Sequence, residues 1–322
     1  MAKLSVIICT HNPNKDVFDK CLKSISSASY FFQPHEILII DNNCSDPLSK
    51  QHYILDFLAD CPNARIIIEG KQGLTPSRLK GISESFGEVL LFIDDDNFVR
   101  DDFFRHGNMV ADKYKHIGAW SGQVKLLFEE PPPAWTKRYW GLLVHREFQG
   151  IYWSNLPHLS ETMPYGAGLF IRRSAADHYL HLHHNGKRSI QLDRNGTSLF
   201  SAGDNDLAAC ACDVGLGVGI FDSLILDHFI PKRRVSKQYL LELAENISHS
   251  GIVFRSFRGE LPAKINSKTK IANMIRLMLK NPVQREFQKA VYKGEKLGRN
   301  TVNNHHLLNK SSFENSSYSR EP

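Results

Sequence analysis

Glu88-Val-Leu-Leu-Phe-Ile-Asp94-Asp95-Asp96-Asn97-Phe98 is an apolar run that ends in three carboxylates. Every position from Val89 to Ile93 is apolar, the pattern of a central parallel strand covered on both faces. Three acids at the end of such a strand repel one another unless something positive sits among them. Mg²⁺ or Mn²⁺ suits the place, because both take hard carboxylate oxygens and leave positions open for phosphate. In an open α/β sheet, ligands bind beyond the carboxyl ends of the strands, where Asp94, Asp95 and Asp96 fall. The same residues can also be read as a solvated polar loop.

Outward from this run, the first 230 residues alternate strands and helices. Strands are predicted at 4–9, 36–40 and 65–68. Val17, Phe18, Cys21, Leu22 and Ile25 are spaced for one face of a helix, and further helices are predicted near 49–59 and 76–85. A βαβαβαβ order implies a parallel sheet with right-handed crossovers. Three strands then stop at polar turns on one edge: 10–14, 41–46 and 94–97. From 128 to 165 the pattern is irregular and holds three of the four tryptophans, Trp135, Trp140 and Trp153. These aromatics read equally as core packing or as a platform that stacks on sugar rings or bases. Gly166 to Ile171 resumes a strand with small residues that admit a ligand close to the backbone.

A second acidic group follows at Gly203-Asp204-Asn205-Asp206-Leu207, at the start of a predicted helix. Either carboxylate could cap that helix; one that faces the cleft is a candidate general base. His228 follows an apolar run and reads either as structural or as a ligand for a divalent metal.

With these residues assembled, the chain resembles the family 2 glycosyltransferases, which have the GT-A fold. The resemblance is carried by Ser5-Val-Ile-Ile-Cys-Thr-His-Asn12, Ile39-Ile-Asp41-Asn-Asn-Cys-Ser-Asp46, Gly73-Leu-Thr-Pro-Ser-Arg78, Phe92-Ile-Asp94-Asp-Asp96 and the Gly203 to Leu207 stretch. It implies an α/β fold with a mostly parallel central sheet, a nucleotide-binding half and an acceptor half. By the same resemblance Thr10, Asn12, Asp41, Arg78, Asp94 and Asp95 belong to the nucleotide-sugar site, with Asp41 on the base, usually uracil. Asp94, Asp96 and His228 become candidate ligands of Mn²⁺ or Mg²⁺, and Asp204 the general base of an inverting transfer. The family's Glu-Asp pair has Gly203 in place of its Glu, and the Arg-Asn after the glycine loop is Arg78-Leu79. The acceptor implied is a glycan, a lipid-linked or a protein-linked hydroxyl. Competing readings are a nucleotidyltransferase, although the turn after the first strand lacks a glycine-rich basic phosphate loop, and a non-catalytic nucleotide-binding scaffold.

The basic character lies toward the C-terminus. Residues 232–301 hold sixteen Lys and Arg against five Glu, a net +11, so the rest carries −5 of the overall +6. The organisation expected is a GT-A domain at 1–231, a basic helical extension at 232–300 and a disordered tail at 301–322. In the extension, Ile271, Met274, Ile275 and Met278, then Val283, Phe287 and Val291, recur at helical spacing among Lys and Arg. Such a segment can lie on an anionic membrane surface or pack on the domain. Its stripe is aliphatic more than aromatic, which argues against nucleic acid. Six scattered cysteines without metal spacing, and no signal-peptide or membrane-spanning pattern, lead to the expectation of a cytoplasmic protein, peripheral at most. His178, His181, His183 and His184 form a cluster read as a surface turn rather than a metal site.

Overall fold

The computed structural model describes residues 2–194, 196, 199–262 and 266–317. Four strands form a parallel ribbon: β1 (Leu4–Thr10), β2 (Glu36–Asp41), β3 (Ala64–Ile68) and β4 (Val89–Asp94), in the order β3-β2-β1-β4. Helices α1 (Lys15–Phe31), α2 (His52–Asp60) and α3 (Leu74–Glu84) are the crossovers between them. Asn14 starts α1 by accepting the backbone N–H groups of Asp16 and Val17, the ordinary way to satisfy a helix's orphan donors. Register opposes Thr10 to Asp41 and Cys9 to Asp94. The three polar turns therefore emerge at one edge, side by side.

Beyond β4 the sheet changes sense, so the mostly parallel sheet holds for one half only. β8 (Leu169–Arg172) pairs antiparallel with β4, and β6 (Ile117–Phe128) antiparallel with β8. Parallel pairing needs a crossover, and β8 has none: it enters from loop 155–168 at the cleft edge, opposite Phe92, and runs back. The fourteen-residue β9 (Gly217–Ile230) lies parallel to β6. Its first part pairs with β7 (Ile151–Ser154) and its last part with β5 (Asn97–Val99). Between these parts β9 bulges: Ser121 faces Ile220, but Gln123 faces Ile225. The side-chain amide of Gln123 donates to the Asp222 carbonyl across the bulge (2.8 Å).

Alternation along the strands builds two cores. Leu4, Val6 and Ile8 meet α1, α2 and α4 (Phe103–Lys113). Ile7 and Cys9 point the other way, toward α5 (Arg173–His184) and α6 (Gly203–Asp213). The residues after Lys232 form α7 (Lys237–Phe257), α8 (Ser267–Met278) and α9 (Pro282–Ser317). Where the composition suggests a disordered tail from Thr301, α9 runs on. Val302 is buried in the core of α5 and α6, and Thr301 meets His249 of α7 at 2.9 Å. Burial on α7 outweighs the polar composition; 318–322 lie outside the described residues. The aromatic segment divides in the same way. Tyr139 stacks on Phe287 of α9 (3.6 Å between rings) and Trp140 packs on Phe128. Tyr152 and Trp153 stay half exposed on β7.

All six cysteines are free. Among the described residues no helix is long and apolar enough to cross a membrane.

Candidate active site

The acidic turn is held from three sides. Asp94 closes β4, and Asn97 opens β5 two residues beyond Asp95. Asn97 is fully buried; its amide accepts from the Asp94 N–H and donates to Asp96. β5 opposes Asn97 to His228, and the Phe229 N–H donates to the Asp96 carbonyl (2.8 Å). This pairing brings His228 Nε2 to 3.5 Å from Asp96 Oδ2. A short 3-10 turn after β9 adds Arg234, whose Nη1 lies 3.0 Å from the same oxygen and 3.3 Å from His228 Nε2. On the other side, the Thr10 hydroxyl donates to Asp95 and ties the end of β1 to that of β4.

The three acids are tuned apart. Burial raises Asp94, and the neighbouring Asp96 charge adds to this. Burial and Asp96 push Asp95 up to about 7 despite the Thr10 hydroxyl. Burial would raise Asp96 as well, but the charges of His228 and Arg234 outweigh it and hold that carboxyl far below the usual range. Close carboxylates cannot all ionise easily; here the negative charge gathers on Asp96, beside Arg234 and His228.

Asp204 faces the triplet across the cleft. It lies in the first turn of α6, and its two oxygens accept the N–H groups of Gly166 (2.7 Å) and Asn205 (2.9 Å). A Cβ on Gly166 would come within 2.8 Å of the carboxylate, so the small residue before β8 is what admits it. Burial, with Asp193 nearby, raises the Asp204 pKa, while Arg78 opposes the rise. Asp206, two residues on, points away from the cleft. Arg188 Nε (2.6 Å) and Arg258 Nη2 (2.9 Å) clasp it, tying α6 to α7. Neither acid caps the helix, whose N-cap is Ala202.

Two adjoining cavities make up the cleft. One of about 170 Å³ is lined by the triplet, Arg78, Asp193, Asp204, His228 and Arg234. The other, of about 200 Å³, is lined by Thr10, His11, Asn42, Gln72, Gly73 and Arg194. They share Cys9, Leu74, Asp95 and Arg194.

The structure thus brings together Thr10, Arg78, Asp94, Asp95, Asp96, Asp204 and His228. Asn12 and Asp41 line neither cavity. Asp41 is buried, and its oxygens accept from Cys44 N (3.0 Å) and Leu48 N (3.1 Å), closing its own turn. Asn12 accepts the Ser45 N–H (2.8 Å) and pins the first turn to the second. Asn42 takes the place beside the cleft: it accepts from Gly73 N (2.7 Å) and donates to the Lys71 carbonyl. Arg234, Asp193 and Arg194 escape the sequence reading. Arg234 is hidden in a basic run, and the other two sit where no periodicity exists. His178 and His183 go to Asp213 and the Tyr179 ring.

Among the described residues no three His, Cys, Asp or Glu side chains form a ready cage for a metal. Mg²⁺ and Mn²⁺ do not need one: a carboxylate or two, with phosphate oxygens and water, completes their shell. Asp96 and His228, close together beside an open cavity, fit that partial set.

The glycosyl transferase family 2 profile matches residues 5–180. The chain belongs to this family. The glycosyltransferase AglE of Haloferax volcanii is 33% identical over 94 residues, covering 29% of this chain and 30% of that protein. Among solved structures, TarS of S. aureus is similar with a TM-score of 0.50 at 15% identity, over 93% of this chain and 54% of that one. GalNAc-T7 with UDP, GalNAc and Mn²⁺ scores 0.49 at 13% identity, over 85% and 54%. The chain thus spans less than a third of AglE and about half of TarS. This family 2 glycosyltransferase has the GT-A fold, with a mixed sheet.

Proposed function

We propose that this glycosyltransferase moves a sugar from a nucleoside diphosphate donor, a UDP-sugar, to an acceptor hydroxyl with inversion, Asp204 being the base. One observation carries this reading. Asp204, fixed by two backbone N–H groups, opens onto the same 170 Å³ cavity as Asp96, His228 and Arg234. The donor's diphosphate lies toward Arg234 and its anomeric carbon toward Asp204. An acceptor hydroxyl held by Asp204 loses its proton as its oxygen attacks from the face opposite the leaving diphosphate. Fixing the two in line provides much of the acceleration. Asp96 and His228, with Asp94 lining the same cavity, would hold Mn²⁺ or Mg²⁺, and a cation bound there would offset charge on the leaving diphosphate. Thr10 and Asp95 then shape the nucleoside side, next to Asn42 and Arg194.

Calorimetric titration with UDP, GDP, CDP and dTDP, each with Mn²⁺ and with chelator, tests the donor side. The expected result is metal-dependent binding of UDP, weakened at least ~10-fold in Asp96→Ala, the scale of a lost charged contact. Absence of binding by all four would remove the transferase reading and leave a scaffold. Anomeric proton couplings in the product would show inversion or retention.

The acceptor reading rests on a second surface. α8 exposes Ile271, Met274, Ile275 and Met278, and Leu279 beyond it is 82% exposed. Residues 261–285 hold six basic residues (Lys264, Lys268, Lys270, Arg276, Lys280 and Arg285) and no Asp or Glu. An apolar helix face in a purely cationic segment matches an anionic bilayer, so the acceptor is proposed to be lipid-linked. Sedimentation with phosphatidylglycerol vesicles, and none with phosphatidylcholine alone, is expected. Met274→Glu/Met278→Glu should abolish it, and equal sedimentation of the variant would sink the idea.

A further inference from the structure

The segment from Gln191 to Arg194 threads between two elements of the site. The Leu192 carbonyl accepts from Ala202 N (3.0 Å) just before α6, and the Arg194 carbonyl from Leu74 N (3.2 Å) at the start of α3. Between these anchors Asp193 is buried. Arg78 Nη1 lies 2.9 and 3.0 Å from its two oxygens, and the Thr75 hydroxyl donates to Oδ2 (2.7 Å). A Cβ built on Gly203 would land on this same carboxyl group. The position next to the base thus has no side chain of its own, and the volume such a side chain would fill holds a carboxylate from elsewhere in the chain.

We infer that Asp193 supplies the acidic neighbour that position 203 lacks, acting as a positioning residue that holds Arg78 beside Asp204. The inference rests on the reading of Asp204 as the base. Two requirements explain the arrangement. A buried guanidinium needs a counter-charge within hydrogen-bond reach, and Asp204 cannot serve as both counter-ion and proton acceptor without becoming a weaker base. Asp193 takes the first duty and leaves Asp204 free for the second. Asp204 is also faced by Asp94 and its neighbours at the end of β4, by Arg194, and by His228 and Arg234. Of the charges acting on it, Arg78 is the strongest and Asp193 the next.

Relocating the carboxylate tests this. In thermal melts of the full chain, Asp193→Ala lowers Tm because Arg78 loses its partner, and Gly203→Glu lowers it because the new side chain collides with Asp193. The double variant Asp193→Ala/Gly203→Glu, with the carboxylate now growing from position 203, is expected to melt above both singles. Melting at or below the sum of the two losses would overturn the inference, since independent sites add.

The kinetic arm uses UDP release from UDP-glucose, UDP-galactose and their N-acetylated counterparts with Mn²⁺. Asp193→Asn is expected to lower kcat about tenfold, within the range of a weakened general base, and to leave UDP affinity unchanged. Losing the Asp193 charge, and with it the neutralisation of Arg78, both favour ionised Asp204. The acidic limb of kcat therefore moves to lower pH, and the double variant returns it. A packing role alone would lower Tm and leave the limb in place, and that result overturns the inference. If Asp204→Asn is inactive while Asp193→Asn keeps the wild-type kcat and limb, the inference falls and the base reading stands. Full turnover by Asp204→Asn removes both. If none of these donors releases UDP, the melts decide.

Discussion

The two acidic sides of the cleft are built by opposite means. At the end of β4, three consecutive carboxylates crowd one turn, and Arg234 beyond β9, with His228 beside it, draws the negative charge onto Asp96. Across the cleft Asp204 stands on two backbone N–H groups and, among the described residues, makes no hydrogen bond to a cation. Arg78, the charge that acts on it most strongly, is occupied by Asp193. A carboxyl kept far below its normal pKa is a poor proton acceptor and a good partner for cations. One raised by burial is better suited to taking a proton. The same residue type is tuned in two directions because its surroundings differ.

Exchanging those surroundings is the way to break the comparison. The largest effect is expected from Asp204→Asn, which keeps the shape and removes the base: kcat should fall roughly 10²- to 10⁴-fold, the usual contribution of a general base. UDP binding, measured by calorimetry, should not change. Loss of binding instead would mean that Asp204 belongs to the donor side. Next comes Asp96→Ala, whose penalty falls on metal-dependent nucleotide affinity. Arg234→Ala should follow, with UDP affinity falling roughly 10-fold, as for one charge-assisted hydrogen bond, and with a smaller change in kcat. An Arg234 variant that loses kcat alone would move this arginine to the other side of the comparison.

The smallest effect is a shift rather than a loss. Because burial raises Asp204, its base form appears only above the ordinary aspartate value of about 3.9. Turnover should fall as pH drops through that raised pKa and be flat above it. A wild-type limb at or below the ordinary value would show that Arg78, not burial, dominates.

The first side of the cleft was the legible one. Val89 to Ile93 announced a strand buried on both faces, and parallel register then carried the neighbouring polar turns to the same edge without further information. Asp94, Asp95 and Asp96 could be read because strand ends have a fixed place in such a sheet. The other side depends on contacts that no local pattern encodes. Asp193 sits in an aperiodic loop, and its partner Arg78 lies 115 residues away. Arg234 looked like one more charge of a basic run, yet it reaches Asp96 across 138 residues. Asp41 shows the reverse case: its motif matched, but the carboxylate is spent on its own turn. The helical stripe from Ile271 to Val291 likewise read as one surface. Phe287 turned out to be buried under Tyr139, whereas Ile271 to Met278 stayed in the open.

The bulge in β9 makes the site sensitive to chain length rather than to side-chain identity. Residues 221–224 are crossed while β6 advances by only two positions, from Ser121 to Gln123, and everything beyond inherits the offset. Strand faces alternate with every residue, so insertion of one residue there would slide Leu226 to Ile230 along β5 by a single step. Asp227 would then stand opposite Asn97, in the place of His228. An imidazole beside Asp96 would become a fourth acid at the most crowded point of the cleft, through a change that altered no site residue at all.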